Sequence, residues 1–145
     1  MNNENVIEWL QLADEDLYAA KLLNEATRKP NEIICYHCAQ ATEKYLKAYL
    51  TYQNIIPKKT HDLVFLIRLC IEKDIEFQNI KMQCEFLNRF ANDIRYPHKY
   101  EVDENDVLFS INAIEKIRNI KPMIDIRNEI VIETNKEDNI GDNHE

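Results

Sequence analysis

The chain holds one glycine and four prolines in 145 residues. That is little material for the tight turns, hairpins and glycine-rich phosphate loops on which β-rich and nucleotide-loop folds depend. No stretch approaches the roughly 18 consecutive apolar residues of a membrane-spanning helix. The start, MNNENVIEWLQLADED, lacks the basic-then-apolar order of a signal peptide. These absences lead to the expectation of an all-helical cytoplasmic protein with no membrane segment. Without a secretion signal, Cys35, Cys38, Cys70 and Cys84 are expected as reduced thiols packed like small apolar residues, with no disulfide. Net positive charge is also missing. A formal charge of −8 argues against a general nucleic-acid coat, because nonspecific affinity comes from neutralising phosphates. Part of that charge is local, since residues 133–145 carry five acids against one lysine. A basic site on the remaining body stays open.

What is present is an ordinary globular balance, 45% apolar and 30% charged, in a length that suits one core and not two. Val6, Leu10, Ala13, Leu17 and Ala20 recur at spacings of four and three, with Trp9, Leu12 and Leu23 broadening the stripe, and predict a first helix that ends near Pro30. A second helix begins around Asn31. Its apolar rows, Ile34-Cys38-Ala41-Tyr45-Ala48 and Cys35-Ala39-Leu46-Leu50, are wide enough for a central helix. Thr60 as N-cap and Asp62 in the first turn open a third, marked by Leu63, Leu66, Ile67 and Cys70. Ile80, Cys84, Leu87, Ala91 and Ile94 predict a fourth that ends near Arg95, because Pro97 disfavours helical backbone at Tyr96. Asp103 and Asp106 resemble an N-cap with an acidic first turn for a fifth helix, which Pro122 ends or kinks. Ile124, Ile126, Ile130 and Ile132 fit strand alternation as well as a continued helix, with helix preferred by its flanks. The fold expected is an all-α, antiparallel up-and-down bundle of four to five helices over residues 1–132, followed by a disordered acidic tail at 133–145.

Each candidate site has a bland alternative. Cys35-x-x-Cys38 with His37 inside offers thiolate and imidazole, but zinc wants ligands on turns that wrap the ion, so packing is preferred and no metal is expected. Gln40, Glu43, Lys44 and Lys47 form a polar row on the second helix that could bind an anion or nucleotide phosphate, or could be solvated surface. Lys58, Lys59 and His61 would extend a basic patch, or be a loop. The stretch NDIRYPHKYE gathers Arg95, Tyr96 and His98 where a proline forces irregular backbone. Arginine can fork onto a phosphate and histidine moves protons near neutral pH. Together, Arg95 and His98 could cleave RNA without a metal: His98 exchanging a proton at the ribose 2′-hydroxyl or leaving oxygen, and Arg95 stabilising charge on the pentavalent phosphate. The alternative is a helix end with Arg95 on its last carbonyls.

The segments ADEDLYAAKLL, CYHCAQATEKYLKAYL, THDLVFL and Arg95-Tyr96-Pro97 occur in that order, and the second carries Ala39, Gln40, Glu43, Lys44, Leu46, Lys47 and Ala48 in an AQ-x-x-EK-x-LKA pattern. Over Trp9 to Ile120 the chain resembles the HEPN family, the higher-eukaryote and prokaryote nucleotide-binding domains. The resemblance implies a helical bundle that often forms a symmetric homodimer, RNA biology, and frequent pairing with a minimal nucleotidyltransferase that acts as antitoxin. Catalytic members resembling this chain carry an Arg, then roughly four to six residues, then a His. Here Arg95 and His98 have two residues between them and Arg89 and His98 have eight, so both pairs depart from that spacing. The Arg95-Tyr96-Pro97 subgroup resembles nucleotide- or partner-binding members. Three readings follow: a module binding nucleotide or RNA through Glu43, Lys44, Lys47, His61, Arg95 and Tyr96 beside a nucleotidyltransferase partner; a metal-independent endoribonuclease toxin using Arg95 and His98; and a dimeric interaction scaffold. None needs a cofactor.

Overall fold

Val6, Leu10, Ala13, Leu17 and Ala20 are all buried along one side of α1 (Asn3–Asn24), the first helix of the computed structural model, which describes residues 3–92 and 101–142. Pro30 stands at the cap of α2 (Asn31–Tyr52), where a missing N–H costs no helical hydrogen bond. Its carbonyl accepts the first one, from Ile34 N at 3.0 Å. α2 runs antiparallel to α1, since Trp9, Asp14 and Asp16 meet Lys47, Tyr45 and Lys44 in reverse order. It also packs on α3, α4, α5 and α6, which explains why both of its apolar rows are buried. Two hydroxyls buried with them, Thr42 and Thr51, donate to the carbonyls of Cys38 and Lys47 one turn back.

The scarcity of glycine shows at the end of α2. Asn54 takes a left-handed φ of 61°, while Asn54 N donates to Thr51 O and Ile55 N donates to Leu50 O, both at 2.9 Å. This is a Schellman ending with asparagine in the position glycine usually fills.

The third helix, α3 (Leu63–Lys73), buries Leu63, Leu66, Ile67 and Cys70 as the spacing predicts, but its N-cap is Asp62 and not Thr60. The Asp62 carboxylate accepts from Val64 N and Phe65 N, and Thr60 Oγ1 accepts from Asp62 N at 3.1 Å, so threonine supports the cap from outside. The expected fourth helix is divided. A 3₁₀ segment, Ile75–Ile80, leads into α4 (Lys81–Leu87), and Asn88–Phe90 tightens to 3₁₀ again. The last described helical residue of this run is Phe90, and Arg95, where the sequence predicts the helix end, lies outside the described residues. Asn88 is drawn aside, accepting from Leu63 N at 2.9 Å and donating to Asp62, while Phe90 is pulled fully into the core. Ile80, Cys84, Leu87 and Ala91 are buried as expected, whereas Ile94 lies outside the described residues.

A capping box of Asp103 and Asp106 opens α5 (Glu104–Arg118). Pro122 falls in the first turn of a separate helix, α6 (Lys121–Asp142), instead of kinking α5. The isoleucine-rich stretch is helical: Met123, Ile126 and Ile130 are buried at spacings of three and four, and Ile124 is 40% exposed. The backbone of α6 continues to Asp142, past residue 133 where the sequence reading begins a tail. No proline interrupts that stretch, and Glu133, Lys136 and Glu137 favour helix. The described residues thus form an all-α bundle of six helices.

Candidate functional site

Glu43 and Lys47 lie one turn apart on α2, and their side chains are only 5% and 7% exposed. Lys47 Nζ donates to Glu43 Oε2 at 3.0 Å. Burying two opposite charges is costly unless the geometry compensates. Here the second carboxylate oxygen is also used, because Glu43 Oε1 lies 2.7 Å from His61 Nδ1. Lys47 Nζ also sits 5.5 Å from the centroid of the Trp9 ring, a cation–π contact from α1. His61 is held from behind, since Asp62 and Leu63 are both bonded to Asn88 at the end of α4. Its side chain is 58% exposed. With Nδ1 turned to Glu43, Nε2 is the nitrogen left for a ligand.

The structure brings Glu43, Lys47 and His61 together and places Lys44 elsewhere. Lys44 Nζ bonds Asp16 on α1, whose other oxygen lies 3.0 Å from His37 Nδ1. The polar row of α2 therefore resolves into two clusters on the α1 seam, one centred on Glu43 and one on Asp16. Arg95, Tyr96 and His98 lie outside the described residues.

Three further residues emerge from the fold. Trp9 reads in the sequence as a broadening of the apolar stripe. Asp14 and Asp16 sit in the ADEDLYAAKLL segment without a local partner. Asp14 is bonded by Tyr45 Oη, by Arg118 and by both terminal nitrogens of Arg127. Burial raises the Asp14 carboxyl, but the hydrogen bonds from Arg127 and Tyr45 and the charges of Arg127 and Arg118 outweigh it and hold the group below its ordinary value. Burial, with Asp14 as hydrogen-bond partner and neighbouring charge, pushes the Tyr45 phenol up. The only sequence signal for this cluster was an acid on the edge of an otherwise apolar stripe.

Cys35 and Cys38 are buried thiols on α2, and Ser110 Oγ on α5 donates to Cys35 Sγ at 3.3 Å. Among the described residues no group of three His, Cys, Asp or Glu side chains could hold a metal ion. No described helix is long and apolar enough to cross a membrane.

A six-helix bundle with a buried Glu–Lys pair and a histidine at its rim defines a class of small helical domain. Within that class the assignment is direct: the HEPN domain model matches residues 6–124, and the chain belongs to the HEPN domain family. A crystal structure of an archaeal HEPN homologue matches with a TM-score of 0.62 at 23% identity, covering 86% of this chain and 97% of that one, a likeness of fold. No curated protein matches the chain. Family membership connects the domain to nucleotide- and RNA-related function in general, and HEPN domains commonly dimerise.

Proposed function

We propose that the protein is a HEPN binding module that takes a nucleotide or RNA at Glu43, Lys47 and His61. In this proposal Arg95, Tyr96 and His98 add to the ligand-binding set, and Lys44, which pairs with Asp16, exchanges that partner for the ligand. It works as a homodimer with a nucleotidyltransferase partner, in a toxin–antitoxin or defence setting. The observation that carries this reading is the buried Glu43–Lys47 pair with His61 anchored to it. A merely structural helix face would leave these charges in water, whereas here one carboxylate fixes both a lysine and the orientation of a half-open imidazole.

The second reading, a metal-independent endoribonuclease using Arg95 and His98, rests on the chemistry of those two side chains. One experiment separates the two. Labelled single-stranded RNA is titrated with the protein in EDTA, with anisotropy and product gels read in parallel for wild type, His61→Ala and His98→Ala. Binding that weakens about tenfold in His61→Ala without cleavage fits the module. Cleavage lost in His98→Ala makes it a nuclease. No binding and no cleavage removes both. Light scattering at twice the 17.3 kDa chain mass checks the dimer.

A further inference from the structure

Trp9, half-buried, lines a cleft of about 300 Å³ with Asn5, Glu8 and Leu12. The four residues share one side of α1 at spacings of three and four. Trp9 has a second neighbour in Lys47, and through Lys47 and Glu43 it connects to His61. Just before His61 come Lys58 and Lys59, both exposed. A line of contacts therefore runs from the aromatic cleft, whose Trp9 ring has the Lys47 ammonium 5.5 Å from its centroid, through Glu43 to a loop with two exposed lysines. None of the four residues lining the cleft is a cation, whereas the loop carries Lys58 and Lys59 as groups that suit a phosphate.

The cleft offers an indole surface, a carboxylate and an amide. Among the described residues Glu8 has no ion-pair partner. A flat ring with N–H donors on its edge satisfies this set: it stacks on the indole and donates to the carboxylate. Of the four RNA bases, guanine alone presents two adjacent N–H donors, at N1 and N2, matching the two oxygens of one carboxylate. Adenine and cytosine set an amino group beside an acceptor, and uracil sets its one N–H between two acceptors.

We infer that this cleft is a guanine subsite for single-stranded RNA. The base stacks on Trp9, N1–H and N2–H donate to Glu8, and the adjoining phosphate lies on the Lys58–His61 loop. The inference rests on the RNA-binding reading above and adds a sequence preference to it.

The test uses anisotropy with three short labelled RNAs, all-adenosine except for one central adenosine, guanosine or inosine, which lacks the N2 amino group. The guanosine RNA is expected to bind about tenfold tighter than the adenosine RNA, with inosine losing most of the gain. Glu8→Gln is expected to erase the preference, so that the guanosine and adenosine RNAs bind within about twofold of each other. Trp9→Ala is expected to weaken every RNA about tenfold, with Trp9→Phe recovering part of the loss and circular dichroism confirming the fold. Equal binding of the three RNAs, or a preference that survives Glu8→Gln, overturns the guanine subsite. If RNA still binds in a His61-dependent manner in that case, the module reading stands. Absence of RNA binding altogether overturns both.

Discussion

Asp14 accepts from both terminal nitrogens of Arg127, Nη1 to Oδ2 at 2.9 Å and Nη2 to Oδ1 at 3.0 Å, and so ties α1 to α6 across the bundle. The same carboxylate receives Tyr45 from α2 and Arg118 from α5, so four helices converge on one acid. Convergence of this kind makes the acid sensitive to protonation.

Because the folded carboxyl of Asp14 is held below its ordinary value of 3.8, the unfolded chain binds that proton more readily. Its contribution to stability is full above the ordinary value and is lost as pH falls through the lower folded one. Asp14→Asn is expected to cost about 1 kcal/mol at neutral pH, a modest figure because the side chain is 37% exposed and screened by solvent. The gap between wild type and variant should narrow below about pH 4. Urea unfolding at steps from pH 6 to pH 2 measures it, and a gap that stays constant with pH would remove Asp14 as the titrating group.

Lys47→Met leaves Glu43 buried with only His61 to balance it, and removing one member of a buried ion pair typically costs about 3 kcal/mol or more. Replacing both, Glu43→Leu with Lys47→Met, is expected to recover most of that loss, since no buried charge is then uncompensated. A double-mutant cycle by chemical denaturation reads the coupling directly. Additive losses would mean that the two side chains do not act as a pair.

Asn88→Ala removes the acceptor of Leu63 N and the donor to Asp62, and is expected to cost about 1–2 kcal/mol. The more informative result is local. Hydrogen exchange at the start of α3 should quicken while the middle of α1 stays protected, because Asn88 is what holds the His61 end of that helix. Unchanged exchange at Leu63 and Val64 would contradict this.

All four cysteines are buried, and burial is the main cause that pushes each thiol up, Cys35 to about 11. Native protein at pH 8 is therefore expected to react with Ellman's reagent at a small fraction of the rate of the unfolded chain, which should release all four thiols. Raised thiol values also make this contribution to stability complete below pH 8 and progressively lost above about pH 9. Rapid reaction of one thiol in native buffer would show that its site opens without global unfolding.

Helix identity was readable wherever apolar residues recur at three- and four-residue spacing, as in Val6 to Ala20 and Leu63 to Cys70. Those positions have one destination, the core, whatever the partner helix is. Details that depend on competing local bonds were not. Thr60 and Asp62 are both good cap residues, and only the packing of Asn88 against Asp62 and Leu63 decides between them. The fourth helix likewise has an unbroken apolar row, yet its backbone tightens at Asn88 because the side chain bonds outward to α3.

The candidate site divides in the same way. Residue types and spacing alone determined that α2 carries a polar row of Glu43, Lys44 and Lys47 beside two apolar ones, and that the chain folds as a helical bundle. Only the tertiary structure decided that Lys47 and His61 share Glu43, that Lys44 turns to Asp16, and that Trp9 closes over Lys47. The physical reason is range. Helical periodicity is a local property of the chain, whereas the partner of a buried charge is chosen by which helix packs against it, often from far along the sequence.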